Sequence, residues 1–203
     1  AGSDFSAVSH ITRGWSQPHL IGYAESHDEE RLMYKNLNEG NSNVSYNVRD
    51  LNTALKRNEA AAAFWAMIPG PKMLWQFGET GYDYSINTCE NLTVDNACRL
   101  SPKPIRWDYY NNPNRKSLYD VYSALLRLKI TPAYTPTFTT SNVTWNLSSG
   151  FKWLTLNEPA LRVLVMGNFD IQAQTGAVTF PTAGTWYNYF TGVPFTATGT
   201  SQS

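Results

Sequence analysis

The chain has 203 residues with 16 basic and 16 acidic side chains, so its formal net charge is zero and nothing in it favours a polyanion such as nucleic acid. Hydrophobic residues make up 42% and charged residues 16%, which excludes a disordered chain and allows one large domain or two small ones. The longest apolar run, Ala60 to Ile68, is far short of the roughly 20 residues a bilayer span needs, so no membrane partner is expected.

Residues 1–18 contain Gly2, Gly14 and Pro18, keep no period and read as a loop. Leu20 to Ala24 is a short apolar run without polar alternation, which predicts a strand buried on both faces. It stops at Glu25-Ser-His-Asp-Glu-Glu30. Charges just past the C-terminal end of a strand are where parallel α/β sheets carry out chemistry. The plainer alternative is a charged loop closing an ordinary strand. Arg31 is expected to form a solvated or structural salt bridge with this cluster. Asn36 to Asn47 is rich in Asn, Ser and Gly and reads as a long polar loop.

A helix is expected from a cap at Asp50 through the apolar stretch ending at Ile68. Pro69-Gly70-Pro71 ends it, because proline cannot continue the hydrogen-bond ladder. Met73 to Phe77 predicts a second buried strand, closed by Gly78-Glu-Thr-Gly81, so Glu79 also sits just past a strand end. Tyr82 to Tyr110 is irregular and carries Cys89 and Cys98, the two cysteines of the chain. Their spacing is too loose for a redox pair, and without nearby histidines they make a poor metal site. A disulfide closing a small loop fits best and would imply an oxidising compartment; two unpaired thiols are the alternative.

Asn112-Pro113 has the form of a helix start. Leu118, Val121, Tyr122, Leu125 and Leu128 then recur at helical spacing to about Lys129. After Pro136 charges become rare. Phe151 to Leu156, Leu161 to Met166 and Thr185 to Phe190 form short runs between turn residues, an all-β pattern. The fold class is therefore α/β plus all-β, with a boundary between Ile130 and Pro136. Two β/α units cannot close a barrel, which takes about 250 residues. The 7 Trp, 12 Tyr and 9 Phe suit a core and also suit stacking on sugar faces.

The motifs together resemble one family. Glu25-Ser-His-Asp28 after an apolar strand is similar to the fourth sequence region of the α-amylase family of glycoside hydrolases. Ile68 to Gly81 resembles that family's last barrel strand and the loop after it. Ser101-Pro-Lys-Pro-Ile-Arg-Trp-Asp108 and the helix from Asn114 to Leu128 resemble its eighth-helix region. The β segment resembles its C-terminal β-sandwich. The resemblance implies the last two units of a (β/α)8 barrel over residues 1–131 and an antiparallel β-sandwich over 132–203. The sandwich is expected to be truncated, because Thr196 to Ser203 offers no apolar closing strand.

The family works with three carboxylates: a nucleophile, a general acid/base, and an aspartate that holds the sugar hydroxyls at the reacting ring. By resemblance Asp28 is that third residue. It would stabilise an oxocarbenium-like transition state, with His27 donating to the same hydroxyls. Glu79 is a candidate substrate contact, but a structural role at the mouth of the last strand is the preferred reading. Trp107, Tyr109 and Tyr110 are expected to pack beneath the barrel rather than line a sugar groove.

Two departures from the family pattern matter. The nucleophile and acid/base belong to upstream strands with no match here, so the chain alone is expected to be inactive. Ser26 stands where hydrolytic members carry Asn, and Ser-His-Asp-Glu is closer to glycogen-branching enzymes; Gly78-Glu79 also lacks the usual intervening residue. The expected parent is a secreted or periplasmic α-1,4-glucan hydrolase, with a 1,4-α-glucan branching enzyme as the alternative. A carbohydrate-binding β domain without catalysis is the second alternative. It would need a coplanar exposed pair among Trp186, Tyr187, Tyr189 and Phe190. Expected partners are an α-glucan and the N-terminal half of the barrel. No cofactor or metal is expected in this chain, although the resemblance allows calcium in a full-length parent.

Overall fold

The computed structural model describes residues 4–198 and 201–202; Gly2 and part of the Thr196 to Ser203 stretch, on which the expected truncation rests, lie outside the described residues. Helices α1 (Leu32–Glu39), α2 (Leu51–Met67), α3 (Pro113–Ile130) and the short α4 (Thr135–Phe138) precede the strands. These are β1 (Val143–Asn146), β2 (Phe151–Glu158), β3 (Leu161–Asn168), β4 (Val178–Thr179), β5 (Gly184–Tyr187), β6 (Pro194–Ala197) and β7 (Ser201–Gln202). The protein is a mixed helix-and-sheet structure with antiparallel sheets: β1-β2-β3, β4-β7 and β5-β6.

The two long helices start where local chemistry places them. Asp50 is extended, and its carboxylate accepts a hydrogen bond from Thr53 N at 3.0 Å. Asn112 Oδ1 accepts from Asn114 N at 3.0 Å and Arg115 N at 3.2 Å, with Pro113 in the first turn. The apolar part of α2 is buried between α3 and β3. Trp65 lies 5.6 Å from the Tyr122 ring, and its indole N–H donates to Gly22 O at 3.0 Å. Leu118 is fully buried in this core. Leu118→Ala is expected to destabilise the protein by about 2–5 kcal/mol, read from urea unfolding. A change under about 1 kcal/mol would mean the site collapses around the truncated side chain.

The same core crosses the boundary expected at 131/132. Phe138, Leu147, Leu154 and Leu156 pack with Phe64, Trp65 and Leu118 in one cluster. A second small core joins Val178, Phe180 and Ala197, with Trp186 edge-on to Phe180 at 5.0 Å.

Two elements differ from the sequence expectation. Leu20 to Ala24 and Met73 to Phe77 form no ladder. They meet at a parallel bridge between Gly22 and Lys72, where Gly22 N donates to Pro71 O at 2.9 Å and Met73 N to Gly22 O at 3.1 Å. Among the described residues no further strand flanks this pair, so Ile21 and Tyr23 are exposed rather than buried. A parallel pair without neighbours leaves half its backbone groups and one side-chain face to solvent. The second difference is α1, which occupies ground expected to be cluster and loop. Its start is satisfied from a distance: Glu25 Oε2 accepts from Leu32 N at 2.8 Å, seven residues on.

Candidate functional site

The segment after Ala24 separates its charges by direction. Ser26 Oγ accepts from Asp28 N at 3.0 Å and donates to the Glu29 carboxylate, closing a tight turn over residues 26–29. His27 and Asp28 are thrown outward, with side chains 68% and 67% exposed. Glu25 and Arg31, on either side of the turn, point inward and are buried.

Asp28 is bracketed on both carboxylate oxygens. Its Oδ2 lies 3.4 Å from His27 Nε2, and its Oδ1 lies 3.5 Å from Arg99 Nη2. The same Arg99 nitrogen donates to the Asp28 carbonyl at 2.6 Å. The His27 ring is 5.7 Å from the Trp75 indole. An exposed carboxylate, two flanking N–H donors and an indole form a set that can take vicinal hydroxyls on its polar groups and a sugar face on the ring.

Next to this set lies a buried ionic pair. Arg31 Nη2 is 2.9 Å from Glu25 Oε1, donates to Gln76 O, and the guanidinium stacks 4.7 Å from the Tyr82 ring centroid. Burial pushes the Glu25 carboxyl up despite Arg31, and burial pushes the Arg31 guanidinium down. Gly78 makes room for the carboxylate, since a Cβ there would stand 2.8 Å from Glu25 Oε1. Glu79 is half-buried; burial raises its carboxyl, and its charge couples to Arg31 and Glu25. The structure thus brings His27 and Asp28 together and places Glu79 with the buried pair.

Glu30 ties the turn to the irregular segment, accepting from Ile86 N at 2.8 Å and Ser85 Oγ at 2.6 Å. Cys89 and Cys98 are bonded to each other, closing the loop that presents Arg99. Lys103 Nζ donates to Thr88 O at 2.9 Å and Cys98 O at 2.6 Å, bracing that loop from outside. No motif marks Arg99 in the sequence, because it meets Asp28 across 71 residues.

The aromatic residues after Ser101 are arranged differently from expectation. Trp107 is 74% exposed, with its ring edge-on to Phe77 at 4.8 Å, and Tyr110 is also exposed. Tyr109 alone is buried, between the guanidinium groups of Arg106 and Arg115 at 4.1 and 3.7 Å. Trp107 meets Phe77 and Tyr110 meets Tyr119 edge-on, and each leaves its other side to solvent rather than packing beneath a barrel.

A hollow of about 570 Å³ beside Tyr109 is lined by charges already paired, Arg106 with Asp108 and Arg115 with Asp83. An apolar groove of about 740 Å³ lies between α2, α3, β3 and the β5–β6 hairpin. Neither includes Asp28 or His27. On that hairpin side Trp186 faces inward, and Tyr189 and Phe190 meet at 66°, so these two rings are not coplanar.

Among the described residues no three His, Cys, Asp or Glu side chains converge to hold a metal ion. Glu25 and Glu30 are turned into separate contacts, so this acidic stretch does not fit a calcium site. A scan against models of known protein families finds no match, and no curated protein matches the sequence.

Proposed function

We propose that this chain supplies the substrate-gripping part of an α-amylase-type retaining glycoside hydrolase acting on α-1,4-glucans. The observation that carries the proposal is the exposed Asp28, bracketed by His27 and Arg99 beside Trp75, just past two segments joined by a parallel bridge. Asp28 would accept hydrogen bonds from two hydroxyls of the reacting ring, and His27 would donate to one of them. Bonds that tighten as the ring flattens toward an oxocarbenium ion lower the barrier rather than merely raise affinity.

On this proposal residues 1–131 are the last two β/α units of a barrel and residues 132–203 belong to a β-sandwich. The exposed Ile21 and Tyr23 would be covered by preceding strands of the same barrel. The nucleophile and the acid/base would come from those strands, so this chain alone would not turn over.

Ser26 bears on the choice between hydrolysis and branching. Its side chain is buried and its hydroxyl is used within the turn, so it shapes the turn rather than touching sugar. The Cys89–Cys98 bond favours an oxidising compartment, secreted or periplasmic, and with it a hydrolase over an intracellular branching enzyme.

Two measurements test the proposal. Maltotriose added to the isotope-labelled chain is expected to shift the His27 and Asp28 resonances, and Asp28→Ala to weaken that binding by about tenfold or more. Unmoved resonances over residues 25–31 would sink the proposal. Soluble starch incubated with the purified chain is expected to yield no reducing ends; steady release would show that the chemistry resides elsewhere in these 203 residues.

A further inference from the structure

We propose that Arg99 is a positioning residue for Asp28 and that the Cys89–Cys98 disulfide keeps it there, so that the grip on ligand is sensitive to reduction. This rests on the assignment of Asp28 as the gripping carboxylate.

Within the turn that carries Asp28, the Ser26 hydroxyl holds the base and His27 Nε2 stands 3.4 Å from Asp28 Oδ2. Among the described residues its tip has one long-range hydrogen-bonded tie, made by Arg99, beside the ring contact of His27 with Trp75. A single guanidinium nitrogen reaches both the Asp28 carbonyl, at 2.6 Å, and the carboxylate, at 3.5 Å. Contact with main chain and side chain together fixes the direction in which the carboxylate leaves the backbone. The pair is largely solvent-exposed, so it adds little to global stability. Its consequence is geometric.

Arg99 depends on the loop before it. It follows Cys98 directly, and its own N–H donates to Asn96 O at 3.3 Å. The base of the loop is joined to the Asp28 segment elsewhere, through Ser85 and Ile86 on Glu30. The loop and the turn therefore meet at two places, one near Cys89 and one beside Cys98. The disulfide is the covalent strut between those two places. Lys103 reinforces the strut with bonds to the carbonyls of Thr88 and Cys98. A dithiol reductant would deliver two electrons and two protons, convert the disulfide into two thiols and leave as its own disulfide. The covalent link between the two places is then gone, and hydrogen bonds, those of Lys103 and of Asn87 to Asn96 among them, are left to hold the origin of Arg99.

Amide hydrogen exchange on the full chain tests this, read at residues 26–30 and at α2 and α3 as controls. Arg99→Ala is expected to speed exchange over 26–30 by about tenfold and to move the Asp28 carbonyl carbon resonance, leaving α2 and α3 unchanged. Arg99→Lys, which keeps one charged donor, is expected to restore part of both effects. Dithiothreitol on the wild type is expected to reproduce Arg99→Ala, and to add nothing to that variant. Unchanged exchange and carbon shift in Arg99→Ala would overturn the positioning role. An effect of reduction that adds in full to Arg99→Ala would overturn the strut. Maltotriose binding is scored separately. If it fails in the wild type while exchange behaves as expected, the glucan assignment falls and the positioning stands. If Arg99→Ala loses maltotriose without loosening the turn, Arg99 touches the sugar itself and the positioning role falls.

Discussion

Arg31→Met is expected to destabilise the protein by about 3–5 kcal/mol, measured by urea unfolding at pH 7. The substitution leaves the Glu25 carboxylate buried opposite an apolar chain. The remaining bond to Glu25, from Leu32 N, does not offset a desolvated charge. Arg31 is 2% exposed, so water cannot step into its place without opening the site. The contact is also more than a pair, since the guanidinium donates to Gln76 O and covers Tyr82. Arg31 Nε nevertheless lacks a hydrogen-bond partner, and Glu25 Oε1 meets Arg31 Nη2 as an ion pair without hydrogen-bond geometry, so the intact pair adds little net stability of its own. The double variant Glu25→Leu, Arg31→Met is therefore expected to recover most of the loss, because the penalty lies in the orphaned charge. A single-variant loss below about 1 kcal/mol would show that the pair is screened by solvent.

The second large effect is a dependence on pH. Stability is expected to rise from about pH 6 to about pH 9. The Lys72 amine lies among the carbonyls of Gly70, Pro69 and Pro71 at 3.0, 3.4 and 3.4 Å. Burial, reinforced by the like charge of Lys129, lowers its pKa to about 6, and burial lowers Lys129 to about 8. In the unfolded chain both return to about 10.4. Through this window the unfolded chain binds more protons than the folded one, so deprotonation favours folding. Stability is lost as the pH falls toward the folded pKa values and is flat below them. Each lysine can contribute a slope of at most about 1.4 kcal/mol per pH unit, and the carbonyls around the Lys72 amine reduce it. Near pH 10 the trend reverses. Burial pushes Tyr82 up to about 12 and Tyr109 and Tyr122 up as well, so the unfolded state gains by ionising first. Lys72→Met is expected to flatten most of the rise between pH 6 and 9. A wild-type midpoint that falls over that range would refute the assignment.

What could be read from the sequence was local. Asp50 reaches Thr53, and Asn112 reaches Asn114 and Arg115, so both helix starts are written within four residues. The runs from Phe151 and from Leu161 pair with each other across a short turn and need no distant information. What could not be read was non-local. The start of α1 is satisfied by Glu25, seven positions back, on a side chain that also faces Arg31. The run Leu20 to Ala24 has the composition of a buried strand, but burial is a property of its neighbours, and it has one. At the candidate site, a short motif singles out His27 and Asp28. It does not mark Arg99, because its partner is 71 residues away and the loop between is shaped by a covalent bond.

That half-paired run has a consequence for how the protein behaves in a tube. Ile21 and Tyr23 stand exposed on a segment that is bridged to its neighbour at Gly22. Such an edge accepts any extended chain, including the same segment of another molecule. With a net charge of zero at pH 7, no long-range repulsion keeps two copies apart. Clustering that grows with concentration is then expected through this rim, and added charge at Ile21 or Tyr23 is the place to interrupt it.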